Sequence, residues 1–156
     1  MVGSIFFDLE KAFDSINHSL LINELPHYGI SGKSKLLIES NLANRFQRVQ
    51  LESSSSNSKR ASTCSKVKHG VPQGLVFGPL LFILYINDLP NTIIHNATPI
   101  LFADDTSILI TGQISHKFQD LNLTFSQISE WFKQNSLSLN ISKTYFIQFS
   151  TKSLNF

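Results

Sequence analysis

Two adjacent aspartates, Asp104 and Asp105, stand between the apolar runs Ile100-Leu101-Phe102 and Ser107-Ile108-Leu109-Ile110, and they limit the possible fold more than any other stretch does. Short runs rich in Ile, Leu and Phe, separated by a few polar residues, read as the two arms of a hairpin with the acids at its tip. Like charges side by side in a reduced dielectric repel, or one of them takes up a proton. A hard divalent cation removes that penalty, because such ions are held by one or two carboxylates together with substrate phosphates. A turn carrying two solvated aspartates fits the same residues, since Asp is common in turns. The choice rests on the rest of the chain.

With 156 residues, 42% of them hydrophobic and 15% charged, the chain is expected to fold as one domain over residues 1–156 and not to be a disordered tail. The net charge of +2 hides an asymmetry: Lys33 to Lys68 holds eight Lys or Arg against Glu39 and Glu52, about +6 against about −4 for the remainder. A basic segment set against acids elsewhere suits a protein that holds a polyanion on one surface and cations on another. A merely soluble basic loop fits the charge as well. The single Cys64 excludes an internal disulfide and a Cys-based zinc site, which fits a reducing compartment. The run Leu80 to Ile86 is apolar for seven positions, short of a membrane span, and Met1-Val2-Gly3-Ser4 lacks the pattern of a signal peptide. An intracellular protein with no membrane partner is the expectation.

Val2 to Phe7 reads as a buried central strand with Asp8 at its C-terminal end. Ile16, Leu20, Leu21 and Leu25 keep helical spacing up to Pro26, with Asn17 as the cap and Gly29 closing the unit. Ser31 starts a second helix, whose stripe is Leu36, Leu37, Ser40 and Leu42, ending near Asn44. Arg45 to Leu51 alternates as a strand, the polar stretch 52–58 reads as a loop, and a return strand runs from Ala61 to Lys68. Gly70-Val71-Pro72-Gln73-Gly74 is a turn ahead of a helix with Pro79 in its first turn and Leu80, Leu81, Leu84 and Tyr85 as its buried stripe. Gln73 and Gly74 therefore precede a helix N-terminus, where free N–H groups favour phosphate.

Lys117 to Asn135 reads as a long helix with Phe118, Leu121, Phe125, Ile128 and Phe132 on its core face and Trp131 packing beside them. Thr144 to Phe149 forms the last strand, with Lys143 at its start. The order predicts an α+β fold, with helices on one face of a mainly antiparallel sheet in the manner of split βαβ architectures. In such a sheet Asp8 and the Asp104-Asp105 tip can share one edge. Paired cations about 3.5–4 Å apart are held by shared carboxylates in sites that transfer phosphoryl groups.

Five blocks carry a family resemblance: Phe6-Phe7-Asp8-Leu9-Glu10-Lys11-Ala12-Phe13-Asp14; Gly70 to Gly74 with Gly78-Pro79-Leu80-Leu81-Phe82; Tyr85-Ile86-Asn87-Asp88-Leu89; Phe102-Ala103-Asp104-Asp105; and Leu139-Asn140-Ile141-Ser142-Lys143-Thr144. Together they resemble the reverse transcriptase palm of non-LTR retrotransposons, close to the jockey-like and related elements of animals. Tyr28 to Gly32 and Asn44 to Gln47 are similar to the same family. The resemblance spans nearly the whole chain and implies a polymerase palm that adds dNTPs to a primer 3′-OH.

It also implies a site. Asp8 and Asp104 match the ligands of two Mg²⁺ ions, which Mn²⁺ could replace, and Asp105 matches the second acid of the tip. Phe13 matches the aromatic gate under the sugar, although an ordinary core Phe fits too. Gln73 and Gly74 match contacts to nucleotide and template, and Lys143 matches a proton donor to pyrophosphate, with an exposed strand-end Lys as the plain alternative. Lys11 and Asp14 have a structural part in the motif. Arg45, Arg48, Lys66 and Lys68 are the candidates for contact with nucleic acid.

The implied partners are an RNA template, a DNA primer, dNTPs and the rest of the retrotransposon polyprotein. Fingers, thumb and endonuclease are expected there rather than in this palm fragment, and the parent element would work in cytoplasm and nucleus. Leu75 and Phe77 depart from the family, which usually shows Ser and then Leu. A catalytically silent remnant, or a basic nucleic-acid-binding module without polymerase activity, shares the motifs. A nucleotide cyclase on a similar palm is disfavoured, because the Gly-Gly-acid-acid-Phe hairpin is absent.

Overall fold

The computed structural model describes residues 2–52, 59–72, 74, 76–93, 97–111 and 117–149, with 117–120 described by their backbone alone. Gln73, Leu75, the loop expected at 53–58 and the Phe118 side chain lie outside the described residues. In chain order the elements are β1 (Val2–Phe7), β2 (Leu9–Glu10), α1 (Ala12–Ser15), α2 (His18–Glu24), α3 (Gly32–Leu42), β3 (Phe46–Gln47), β4 (Gln50–Glu52), β5 (Lys59–Ala61) and β6 (Ser65–Lys66). They continue with α4 (Phe77–Ile86), β7 (Ala97–Phe102), β8 (Asp105–Thr111), α5 (Lys117–Gln134), β9 (Ser138–Leu139) and β10 (Tyr145–Phe149), and short 3-10 turns follow α2, α4 and β9.

The main sheet has the order β10-β1-β8-β7 and is antiparallel throughout. β1 is central, as its apolar run predicts. Ile5 and Phe7 face the helices and are buried, as are Ile108 and Ile110 beside them on β8. The expected burial on both faces fails at Phe6, which is 37% exposed on the face the helices leave open. Alternation of side chains along a strand separates it from its neighbours. β7 forms one edge and carries Pro99, a residue that edge strands tolerate because it removes a ladder donor.

α5 covers the core face of β1: the Phe7 ring stacks on Phe125 at 5.7 Å and meets Phe132 edge-on at 5.9 Å. Ile128, Trp131 and Phe132 are buried, and Leu121 and Phe125 pack against the same core. Burying each such side chain contributes about 1.5–3 kcal/mol. The expected stripe holds at every described position.

Two other stripes are met in part: Leu42 on α3 and Leu81 and Tyr85 on α4 are buried as expected, and other positions are not. On α3 the buried positions are Ile38 and Leu42, while Leu36 and Leu37 are 62% and 67% exposed. On α4 they are Leu81, Phe82, Tyr85 and Ile86, and Leu80 faces outward. Both helices are apolar on more than one side, so periodicity alone did not single out the face. The strand expected from Arg45 to Leu51 is two short pieces: β3 pairs with β6, and β4 with β5. A break at Arg48-Val49, facing Ser62, separates the two halves of this ribbon; Ser62 N–H donates to the Val49 carbonyl and the Val49 N–H donates to Ser62 Oγ.

Candidate active site at the sheet edge

Asp8 follows the last residue of β1, and its side chain is 34% exposed. Its backbone is held on both sides. The Asp8 carbonyl accepts from Asn140 N–H at 2.8 Å, and the Asp8 N–H points to Thr144 Oγ1 at 3.5 Å. Thr144 in turn donates its hydroxyl to the Asn140 carbonyl at 2.9 Å. The segment bearing Asn140 and Thr144 thus anchors the residue that follows the central strand.

The register pairs Phe7 with Thr106, so one further step brings Asp8 across from Asp105, the first residue of β8. Directly opposed residues of an antiparallel pair share a face. By alternation that face is the open one, shared with Phe6 and Ser107. Asp104 occupies the two-residue turn between β7 and β8, next to Ala103 at φ 53°. A left-handed Ala costs roughly 1–2 kcal/mol, a strain of the kind that collects at functional turns.

The expected acids therefore lie at one edge of the main sheet. They are not drawn together around a point: among the described residues no three His, Cys, Asp or Glu side chains are grouped so as to hold a metal ion. The donor chemistry nevertheless fits Mg²⁺ or Mn²⁺, since Asp104 and Asp105 offer exposed carboxylate oxygens and Asp8 a half-exposed one. Lys143 Nζ stands 4.0 Å from Asp8 Oδ2 on an exposed side chain, too loose to contribute much stability.

Phe13 lies on α1, with its ring 4.9 Å from that of Phe82 on α4. Its carbonyl accepts from Val71 N–H at 2.8 Å, and the Ile16 carbonyl accepts from Gly70 N–H at 2.8 Å. His18 Nε2 lies 2.7 Å from the Gly70 carbonyl. The turn at 70–72 is thereby bonded to α1 and α2. It also rests on α4, where a Cβ at Gly78 would come within 2.1 Å of the Pro72 carbonyl. Gly74 is exposed at φ 84° with no other described residue within 4 Å of where a Cβ would stand, ahead of a helix whose N-cap residue, Val76, makes no side-chain cap. Such a helix start leaves N–H groups free for a ligand.

His18, Gly78 and Thr144 are supports that the sequence reading did not single out for a site. A lone His carries no signal, whereas Gly78 and Thr144 sit within the family blocks. Arg45, Arg48, Lys66 and Lys68 lie elsewhere, on and beside the β3–β6 ribbon, and none has an ion-pair partner among the described residues. No described helix is long and apolar enough to cross a membrane.

The family described as "Reverse transcriptase (RNA-dependent DNA polymerase)" matches residues 3–156. The probable RNA-directed DNA polymerase from transposon X-element of Drosophila melanogaster is 31% identical over 160 residues, covering 96% of this chain and 16% of that protein. The RNA-directed DNA polymerase from mobile element jockey of Drosophila funebris is 28% identical over 158 residues, covering 95% of this chain and 16% of that protein. The chain thus spans about a sixth of the length of these curated relatives. Among solved structures, apo telomerase from Candida tropicalis truncated from its C-terminal domain superposes with a TM-score of 0.67 at 16% identity, over 99% of this chain and 32% of that one. That likeness shows a polymerase palm fold. With the family matched from the second residue of the central strand to the last residue of the chain, and with jockey and X-element polymerases among its relatives, the chain belongs to the reverse transcriptase family, on the side of the non-LTR retrotransposons.

Proposed function

We propose that the chain is the single palm unit of an RNA-directed DNA polymerase, adding dNTPs to a primer 3′-OH on an RNA template. The observation that carries this reading is the placement of Asp8 and the Asp104-Asp105 tip at one edge of the main sheet in a chain of this family. Asp8 and Asp104 would hold two Mg²⁺ ions, or Mn²⁺, with Asp105 adding negative charge beside them. When bound, such ions lower the pKa of the attacking hydroxyl and neutralise charge on the transferring phosphate.

The chain's own part is positioning. Thr144 and Asn140 fix the backbone of Asp8, and the Ala103 turn aims Asp104 outward from the tip. Phe13 backs the sugar from its seat on Phe82, while Gln73 and Gly74 contact nucleotide and template ahead of α4. Lys143, close to Asp8, gives a proton to the leaving pyrophosphate. Fingers, thumb and endonuclease come from the remainder of the polyprotein, whose work takes it through cytoplasm and nucleus.

A second reading, a palm that binds nucleic acid without polymerising, is favoured by the absence of a gathered ligand group among the described residues. Primer extension on an RNA template with Mg²⁺, comparing the chain with Asp104→Ala, decides between them. Extension that falls on the order of a hundredfold or more in the variant supports polymerisation. No extension by the parent chain, or extension untouched by the substitution, overturns it in favour of the silent palm.

A further inference from the structure

The two edges of the main sheet are built differently. β7 carries Pro99, whose ring removes a ladder donor, and a proline of this kind keeps a further strand from adding to an edge. β10 pairs with β1 alone, and no described residue pairs with its outer side. Its sequence, Tyr145-Phe146-Ile147-Gln148-Phe149, has no charge, proline or glycine to blunt that edge. Four of the five side chains are large, apolar and exposed: Tyr145 by 59%, Phe146 by 40%, Ile147 by 45% and Phe149 by 53%. The register sets Tyr145 opposite Phe6, Ile147 opposite Ser4 and Phe149 opposite Val2, so these three lie on the face that the helices leave open.

We propose that β10 pairs antiparallel with β10 of a second copy of this chain, joining two main sheets into one across a two-fold axis at Ile147. The strand is its own complement in that register. Ile147 meets its own counterpart, Tyr145 meets Phe149 on either side of the axis, and Phe146 meets Gln148. Every apolar residue on the open face thus finds an apolar one, the kind of cross-strand pair that stabilises a sheet. A charged strand from another protein finds no opposite charge on this edge to match its own. A half-exposed aromatic offers on the order of 100 Å², so four such chains give roughly 400 Å² a copy and about 800 Å² for the pair. Stable complexes need about 1,000 Å² or more, so this contact is a transient one that concentration governs. Pro99 blunts the far edge of each copy, and assembly therefore stops at two. The pairing uses neither the aspartates nor a metal, so it stands whether or not the chain polymerises.

The test is sedimentation equilibrium of the whole chain in EDTA, with a thermal melt of each variant to confirm that it folds. Half of the chain should be dimeric at roughly 100 µM, within a series from about 5 to about 500 µM. Ile147→Lys sets like charges across the axis and should weaken association at least about tenfold, whereas Ile147→Val should keep it. Tyr145→Lys and Phe149→Glu should each weaken it as well. Combined in one chain, these two changes stand about 13 Å apart on their own strand but directly opposite across the axis, so the double variant should recover association. If Ile147→Lys does not fold, that recovery decides alone. A parent chain that stays monomeric throughout overturns the proposal and leaves the edge to a strand of another protein. Association untouched by Ile147→Lys overturns it too, as does a double variant no better than the single ones, or growth beyond the dimer.

Discussion

The main sheet and the basic ribbon are both antiparallel, yet different forces hold them. Each interior pair of the sheet runs for five or six residues in register, and one face is sealed by α4 and α5. The ribbon pairs two residues in one half and three in the other, and every strand residue in it is exposed. It is held by backbone bonds, by the Ser62–Val49 contacts and by the exposed Lys59–Glu52 pair. A two-stranded ribbon of that length is marginal in water without a body to rest on. Burial gives the sheet one register and one set of inward residues, whereas the ribbon leaves its side chains free to meet something else.

The contrast breaks most sharply with phenylalanine. Phe7→Ala removes the partner of both Phe125 and Phe132, and should cost about 3–5 kcal/mol in urea unfolding. Phe46→Ala should change stability by no more than about 0.5 kcal/mol, because its ring is exposed. Equal losses at the two positions would erase the distinction. Next in size is Gly78→Ala, whose methyl must displace the Pro72 carbonyl; a loss of roughly 1–3 kcal/mol is expected, with altered near-ultraviolet signal from Phe82 and Tyr85.

Tyr85→Phe sharpens the comparison from inside the core. The Tyr85 hydroxyl donates to the Asn135 carbonyl at 2.6 Å and accepts from Asn17 N–H at 3.4 Å, joining α4, α5 and the start of α2. Its loss should cost about 1 kcal/mol or somewhat more. Burial also raises the Tyr85 pKa above its ordinary value of 10.0. The unfolded chain therefore ionises first, so this part of the stability is whole below pH 10.0 and is lost as pH rises through the folded pKa. Unfolding measured from pH 8 to pH 11 should show a shallower alkaline decline in Tyr85→Phe.

The smallest effect is a gain. The Thr106 hydroxyl is buried without a hydrogen-bond partner among the described residues, so Thr106→Val should stabilise the protein by about 1 kcal/mol. A loss instead would mean that the hydroxyl is satisfied by something other than protein.

The contrast also explains what could be read in the chain beforehand. β8 and α5 were legible because each buries a single face, and one face leaves a period in the sequence: Ile108 and Ile110, Leu121 through Phe132; β1 was legible as an unbroken apolar run, which overstated the burial at Phe6. α4 carries apolar residues around most of its surface and α3 sets Leu36, Leu37 and Ile38 side by side, and there the period blurred, hiding Ile38 and Phe82 behind Leu36, Leu37 and Leu80. The division of the ribbon at Arg48-Val49 left no hydrophobic trace, because nothing there is buried. At the candidate site, the residue types and neighbours of Asp8, Asp104 and Asp105 singled them out, and the structure sets them at one edge of the main sheet. His18 was not, since its role lies in a contact with the Gly70 carbonyl 52 positions away.

That contact, with the bonds from Gly70 and Val71 to the carbonyls of Ile16 and Phe13, makes α1, the start of α2 and the turn at 70–72 a single mechanical piece. The close approach of Pro72 to Gly78 adds the first turn of α4 to it. A shift of the Phe13 backbone is therefore passed to Val71 and Pro72, on the turn that leads toward Gly74. Substitutions on either side of that piece should compensate or aggravate one another, so the variation that a lineage can accept at Phe13 depends on what it carries at positions 70 to 78.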